Sequence, residues 1–204
     1  MRKVILGCGL TLDGYIARPD GSVEYLVMPK GVEKVMADFY AGIDTIVFGR
    51  KTYDAMQRMI AQGEHDGPAG PWKTYVFSRT LPSGERNGMT FVRESPSVFM
   101  RKLRKKPGKH ICHMGGGELA RSFLEADLVD ELWMHVVPIL LGDGIPIFPA
   151  GFPQRDFKLV ECKRYGNDVS LIYSRARKSR ARKSRARKAQ ARKKATGRKT
   201  TKAR

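Results

Sequence analysis

Residues 109–126 constrain this chain more than any other stretch. A β-type run, Lys109 to Met114, passes through three consecutive glycines straight into a helical pattern. Glycine reaches positive φ without a Cβ penalty. A helix that starts at such a turn leaves its first N–H groups unpaired and turns the positive end of its dipole outward. Gly115, Gly116 and Gly117 therefore predict a seat for an anion, with phosphate or pyrophosphate the natural guest. A second junction of the same kind lies upstream, where the strand-like residues 45–48 run into Gly49-Arg50-Lys51-Thr52 and two cations add to the pull on a phosphate. Two phosphate-type turns in one small domain suggest a dinucleotide.

Hydrophobic periodicity extends this pattern along the chain. Residues 4–10 read as a buried strand, and Val32, Val35, Met36, Phe39 and Tyr40 share one helix face. A strand at 45–48 and a helix at 51–60 follow. Gly63, Gly67, Pro68, Gly70 and Pro71 then preclude regular structure across 61–71. Strands are predicted at 73–77 and 89–92. Ser95 and Pro96 fit N-cap and N1 of a helix running to about residue 105, where Pro107-Gly108 ends it. A strand at 109–114, a helix at 118–125 and a strand at 132–137 come next. Runs at 157–164 and 169–174 close the chain as an antiparallel hairpin around a loop of about four residues. The order predicts an α/β domain with a mostly parallel central sheet, flanking helices and an antiparallel C-terminal edge.

The charge is distributed unevenly. Residues 175–204 contain 16 Lys and Arg and no acid, so residues 1–174 hold the other 23 basic and all 20 acidic residues. A nearly neutral globule, +3, thus carries an extension of +16, built on a five-residue unit such as Ser174-Arg175-Ala176-Arg177-Lys178. Five residues turn a helix by about 500°, which spreads charge over every face and argues against an amphipathic membrane helix. Without large apolar residues to bury, the extension is expected to be disordered, giving two parts, 1–174 and 175–204. The apolar residues 4–10 are too few for a secretory signal or a membrane span. Three scattered cysteines, Cys8, Cys112 and Cys162, without CxxC spacing suit reduced thiols in the cytoplasm.

Five motifs occur in one order: Leu10-Thr11-Leu12-Asp13-Gly14-Tyr15-Ile16-Ala17, Phe48-Gly49-Arg50-Lys51-Thr52-Tyr53, Val76-Phe77-Ser78-Arg79-Thr80, Met114-Gly115-Gly116-Gly117-Glu118-Leu119, and Leu128 to Leu132 leading to Val137-Pro138-Ile139-Leu140-Leu141-Gly142-Asp143-Gly144. Together they resemble the dihydrofolate reductase-like fold. More closely, residues 3–174 resemble stand-alone relatives of the reductase domain at the C-terminal end of the bifunctional deaminase-reductase of riboflavin biosynthesis. The resemblance implies an NADPH-dependent oxidoreductase that gives hydride to a small heterocyclic or sugar-derived substrate, as 5-amino-6-(5-phosphoribosylamino)uracil reductase does. It implies that Gly49, Arg50, Lys51 and Thr52 hold cofactor phosphate, that Ser78 and Arg79 take the adenosine 2′-phosphate, and that Gly115, Gly116, Gly117, Glu118 and Leu119 form the second pyrophosphate turn. Asp13 and Gly14 match the loop that closes over the nicotinamide.

The proton donor is less clearly marked. Hydride transfer to C=N or C=O leaves charge that an acid or ordered water must neutralise. Counting back from Gly49 places Glu33 where dihydrofolate reductase proper has its pterin-binding carboxylate, with Asp13 as the companion candidate. Met28-Pro29-Lys30 lacks the aromatic residue expected beside it, which makes folate the weaker substrate reading. His110, Cys112 and His113 divide between two strand faces, so they suit core and edge roles and no metal. The alternatives are dihydrofolate reductase itself and a nucleic-acid-associated protein that uses the fold as a scaffold. The extension is expected to bind nucleic acid or another polyanion without sequence preference, and a homodimer is the expected assembly.

Overall fold

The computed structural model describes residues 1–63 and 70–176. The expected character of residues 177–204 and the middle of the 61–71 loop lie outside the described residues. The chain opens with β1 (Val4–Thr11) and a short β2 (Tyr15–Ala17), followed by α1 (Glu33–Ala41), β3 (Ile43–Gly49) and α2 (Arg50–Ala61). Next come β4 (Lys73–Phe77), a short β5 (Gly84–Arg86), β6 (Met89–Val92) and α3 (Pro96–Leu103). The remainder is β7 (His110–Met114), α4 (Gly117–Glu125), β8 (Glu131–Val137), β9 (Ile145–Pro146), β10 (Phe157–Tyr165) and β11 (Asp168–Arg175).

Nine strands form one sheet in the order β10-β11-β8-β1-β7-β3-β4-β6-β5, while β2 and β9 pair separately. The six from β8 to β6 run parallel; β5 pairs antiparallel with β6 at one edge, and at the other β11 pairs antiparallel with β8 and β10 with β11. This is the dihydrofolate reductase-like arrangement, with its antiparallel C-terminal hairpin. From β1 the chain steps outward through β3, β4 and β6, then returns to β7 and crosses β1 to reach β8. Right-handed crossovers in two opposite directions put the helices on opposite faces. Accordingly Ile5, Ile46, Phe48 and Phe91 pack with Phe39 of α1 and Tyr53 and Met56 of α2. On the other face Val4, Leu6, Val47 and Ile111 pack with Met100 and Leu103 of α3 and Leu119 and Phe123 of α4. Phe91 and Phe123 are fully buried, and each such ring contributes about 2–3 kcal/mol of apolar burial.

Several boundaries differ from the sequence reading for physical reasons. Tyr165 pairs with Asp168, so the closing hairpin turns on Gly166 and Asn167 alone instead of four residues, with Gly166 at φ +61°. Arg175, counted above with the extension, ends β11; its backbone N–H donates to the Asp130 carbonyl at 2.8 Å. Ser95 occupies the N-cap of α3, yet its hydroxyl lies 3.3 Å from that of Ser97 and caps no backbone N–H. The helix itself stops at Leu103, two residues short. No helix among the described residues is long and apolar enough to cross a membrane.

Candidate active site

In an open α/β sheet the crevice for a ligand opens at the carboxyl ends of the strands, where neighbouring strands send their helices to opposite faces. Here that reversal lies between β3, which feeds α2, and β7, which feeds α4. Both predicted glycine turns sit at that point. The two helix N-termini touch: a Cβ on Gly116 would lie 3.2 Å from the Thr52 hydroxyl, and one on Gly49 3.8 Å from the Leu119 Cβ. Gly115 and Gly116 take φ of +74° and +87°. The N-caps of the two helices are Gly49 and Gly116, and among the described residues no side chain caps either helix. The first-turn N–H groups of both therefore face one crevice without a side-chain partner, which suits an extended anion with two phosphates. Gly117 is fixed by packing, since a Cβ there would come within 2.2 Å of the Pro146 carbonyl oxygen. Leu119 lies beneath the turn and is buried.

Charged side chains surround this crevice. Lys51 donates to the Glu118 carboxylate at 2.9 Å, an exposed bridge from α2 to α4. That hydrogen bond and the Lys51 charge hold the Glu118 carboxyl below its ordinary pKa, with a smaller contribution from Arg79. Arg50 donates to Asp54 at 3.1 Å and to the Thr80 hydroxyl at 2.6 Å, which ties the start of α2 to the turn after β4. In that turn Ser78 is buried, and its hydroxyl accepts from the N–H groups of Leu81, at 2.9 Å, and Thr80, at 3.3 Å. Ser78 thus shapes the turn, while Arg79 is exposed beside it.

Asp13 and Gly14 lie in the tight turn between β1 and β2. Gly14, at φ +84°, donates to the Thr11 carbonyl at 3.0 Å. The Asp13 carboxylate accepts from the Thr11 hydroxyl at 2.5 Å and from the Gly142 N–H at 2.8 Å, so it clamps this turn to the loop after β8. The same bonds, that of Thr11 foremost, lower its pKa. Glu33 stands at the start of α1, exposed, and accepts from the Gly31 N–H at 2.8 Å. No contact between Glu33 and Asp13 or the glycine turns occurs among the described residues. The turns of β3, β4 and β7 thus converge, whereas the two carboxylates stay apart.

A titratable pair that sequence reasoning passed over lies on the α1 face of the sheet. His135 Nε2 is 2.9 Å from Asp168 Oδ2, and both side chains are 12% exposed. Gly7 and Gly9 of β1 stand opposite Trp133 and His135 of β8. Their missing side chains make room for Phe39 and Leu26, whose atoms lie 3.3 and 3.1 Å from where Cβ atoms would stand. Only the strand register brings His135 and Asp168 together, and no local sequence pattern announces it. His113 faces the opposite way. It is fully buried against Phe123, with ring centroids 5.0 Å apart, and apart from its own backbone neither ring nitrogen has a hydrogen-bond partner among the described residues. Desolvation drives its pKa down from 6.5 to about 4.

Known proteins resemble this chain over most of its length. The profile of the RibD C-terminal domain matches residues 2–171. YwjB of Bacillus subtilis (strain 168), itself uncharacterised, is 33% identical over 179 residues, which covers 86% of this chain and 99% of YwjB. YyaP of the same organism, also uncharacterised, is 33% identical over 175 residues, covering 82% and 92%. A Shewanella sp. PV-4 protein provisionally assigned to riboflavin biosynthesis superposes with a TM-score of 0.73 at 26% identity, over 86% of this chain and 99% of its own. RibD of Acinetobacter baumannii shares the fold at a TM-score of 0.64 and 20% identity, over 86% of this chain and 58% of RibD.

Proposed function

The chain belongs to the RibD C-terminal domain family, and on that premise we propose that it is an NADPH-dependent reductase of a small heterocyclic or sugar-derived substrate, of the kind that 5-amino-6-(5-phosphoribosylamino)uracil represents. The observation that carries the proposal is the meeting of two helix N-termini without side-chain caps, at Gly49–Thr52 and Gly115–Gly117, on the reversal point of the sheet. The backbone N–H groups there and the Thr52 hydroxyl would hold the pyrophosphate. Lys51 and Arg50 supply charge, and Arg79 is the cation available for the 2′-phosphate, oriented by the turn that Ser78 closes. Glu118 holds Lys51 in an exposed ion pair across the two turns and competes with the phosphate for its charge, and Leu119 supports the turn from below.

When bound, the cofactor supplies a hydride; the chain must orient the acceptor and manage a proton. Asp13, with both oxygens engaged, holds the first loop against the Gly142 loop and thereby shapes the nicotinamide end with Gly14. An ionised clamp of this kind is a poor acid. His135 is better suited: Asp168 occupies Nε2 and steadies the ring, leaving Nδ1 to deliver a proton to the nitrogen or oxygen that receives negative charge. Glu33 is the competing assignment, through its place at the start of α1. A homodimer is part of the same reading, supported by exposed Leu159 and Val160 on the outermost strand β10.

Fluorescence titration with NADPH and NADH, followed by NADPH oxidation with 5-amino-6-(5-phosphoribosylamino)uracil and with dihydrofolate, tests the reading. Tighter binding of NADPH than NADH and turnover of the aminouracil compound are expected. Binding of neither cofactor would overturn it.

A further inference from the structure

The other pole of the sheet, where the parallel strands begin, carries an unbalanced positive charge. Residues 101–109 include Arg101, Lys102, Arg104, Lys105, Lys106 and Lys109 and no acid. Three of these are engaged: Lys102 with Glu94 at 2.6 Å, Arg104 with Asp130 at 2.6 Å, and Lys109 with the Ala41 carbonyl at 2.9 Å. Arg101, Lys105 and Lys106 are exposed, and among the described residues none has an acidic partner. The acids nearby are already paired: Asp44 with Arg2, Glu131 with Lys3, and Asp127 with Arg155 and Arg175.

Asp130 joins this surface to the C-terminal extension. One carboxylate oxygen accepts from Arg104 at the end of α3 and the other from Arg175, at 3.0 Å, at the end of β11. Residues 177–204, which begin just beyond Arg175, add 15 Lys and Arg and no acid. We propose that this pole, made of the end of α3 and the root of the extension, docks the phosphate backbone of double-stranded nucleic acid without reading its sequence. Residues 177–204 contain no aromatic or large aliphatic side chain, so they offer no ring platform for splayed bases and no apolar face for a bilayer. A regular row of phosphates is the partner such a surface fits, because each neutralised phosphate releases counterions. Ser174 pairs with Glu131 at the start of β8, whereas the glycine turns lie at the far ends of the strands. The seven residues of β8 separate the two by roughly 20 Å, so a docked duplex leaves the crevice open.

The test uses the full-length protein and fluorescence anisotropy with two 30-base-pair DNA duplexes of unrelated sequence over a range of KCl. Equal affinity for both duplexes and a linear fall of log K with log salt are expected. In the variant Arg101→Gln/Lys105→Gln/Lys106→Gln the slope should become shallower by about 0.9 for each phosphate no longer neutralised, up to about 2.7. At 0.15 M salt that corresponds to a weakening of about 5-fold for one phosphate and about 10²-fold for three. Lys105→Gln/Lys106→Gln, outside the helix, guards against a folding effect, and NADPH affinity serves as the control for an intact crevice. Failure of the reductase reading would show in the NADPH titration of the wild type and would leave the duplex measurement unaffected. Replacing every Lys and Arg of 177–204 by Gln should abolish binding. A triple variant with unchanged slope and affinity, dependence on duplex sequence, or tighter binding to phosphatidylserine vesicles than to duplex would each overturn the proposal.

Discussion

Replacing His113 by leucine should make the protein more stable, and increasingly so as the solution becomes acidic. The imidazole is fully buried between the β1 and β3 strands, opposite Leu6 and Val47, and neither nitrogen is satisfied by another of the described residues. Burial lowers its pKa from 6.5 to about 4. Below pH 6.5 the unfolded chain therefore takes up a proton that the native state refuses until about pH 4. The unfolded state is favoured as the pH falls through this window, and the penalty saturates below it. Between pH 7.5 and 4.5 the cost comes to about 2.5 kcal/mol, from about 1.36 kcal/mol per unit and allowing for partial protonation at each end. Leucine has similar volume and no polar atom, so at pH 7.5 it should gain about 1–2 kcal/mol by removing an unsatisfied buried group. Urea unfolding of both proteins at the two pH values isolates the term, because carboxylates common to both cancel in the difference. If wild type and His113→Leu lose the same stability between pH 7.5 and 4.5, the ring is hydrated or paired and the reasoning fails.

Other consequences concern the crevice. Arg79→Ala should weaken NADPH by about tenfold to hundredfold and leave NADH nearly unchanged, since charge-assisted contacts contribute about 1.5–3 kcal/mol; equal losses in a fluorescence titration would move Arg79 to the pyrophosphate. Glu118→Gln frees Lys51 from an exposed ion pair and should tighten NADPH, by at most about fivefold given the value of such pairs. His135→Gln should lower turnover by about 10²-fold with NADPH affinity intact, while Glu33→Gln leaves both unchanged; the reverse pattern would return the proton to Glu33. Gly117→Ala forces a methyl group against the Pro146 carbonyl and should cost several kcal/mol of stability in a thermal or urea melt.

Periodicity and turn chemistry made most of the architecture legible. The strand-glycine-helix junctions at 49 and 115 announced themselves because glycine and helix-forming residues abut at a strand end, and the structure brings them together. The short strands β2, β5 and β9 were not legible: two or three residues carry no period, and each exists only because a partner strand lies alongside. Turn length failed in the closing hairpin for a related reason. Tyr165 and Asp168 look like loop residues in isolation, and the cross-strand pairing of β10 with β11 claims them. Glu33 was placed by spacing, which locates a position along a helix but says nothing about what its carboxylate faces. The His135–Asp168 pair depends on register between strands 33 residues apart, information that lies in the sheet and not in either segment.

The position of β1 bears on how the chain must fold. Val4 pairs with Ile111 and Leu6 with Leu132, so β1 lies inside the finished sheet, between neighbours that emerge more than a hundred residues after it. Its apolar sequence, Val-Ile-Leu-Gly-Cys-Gly-Leu, has no local hairpin partner in that sheet. Loop closure over such separations is slow, and two unpaired apolar edges stay open meanwhile. During synthesis the nascent chain therefore passes through a long interval in which this strand is available to chaperones or to other copies of itself, until residues 131–137 leave the ribosome and close the sheet over it.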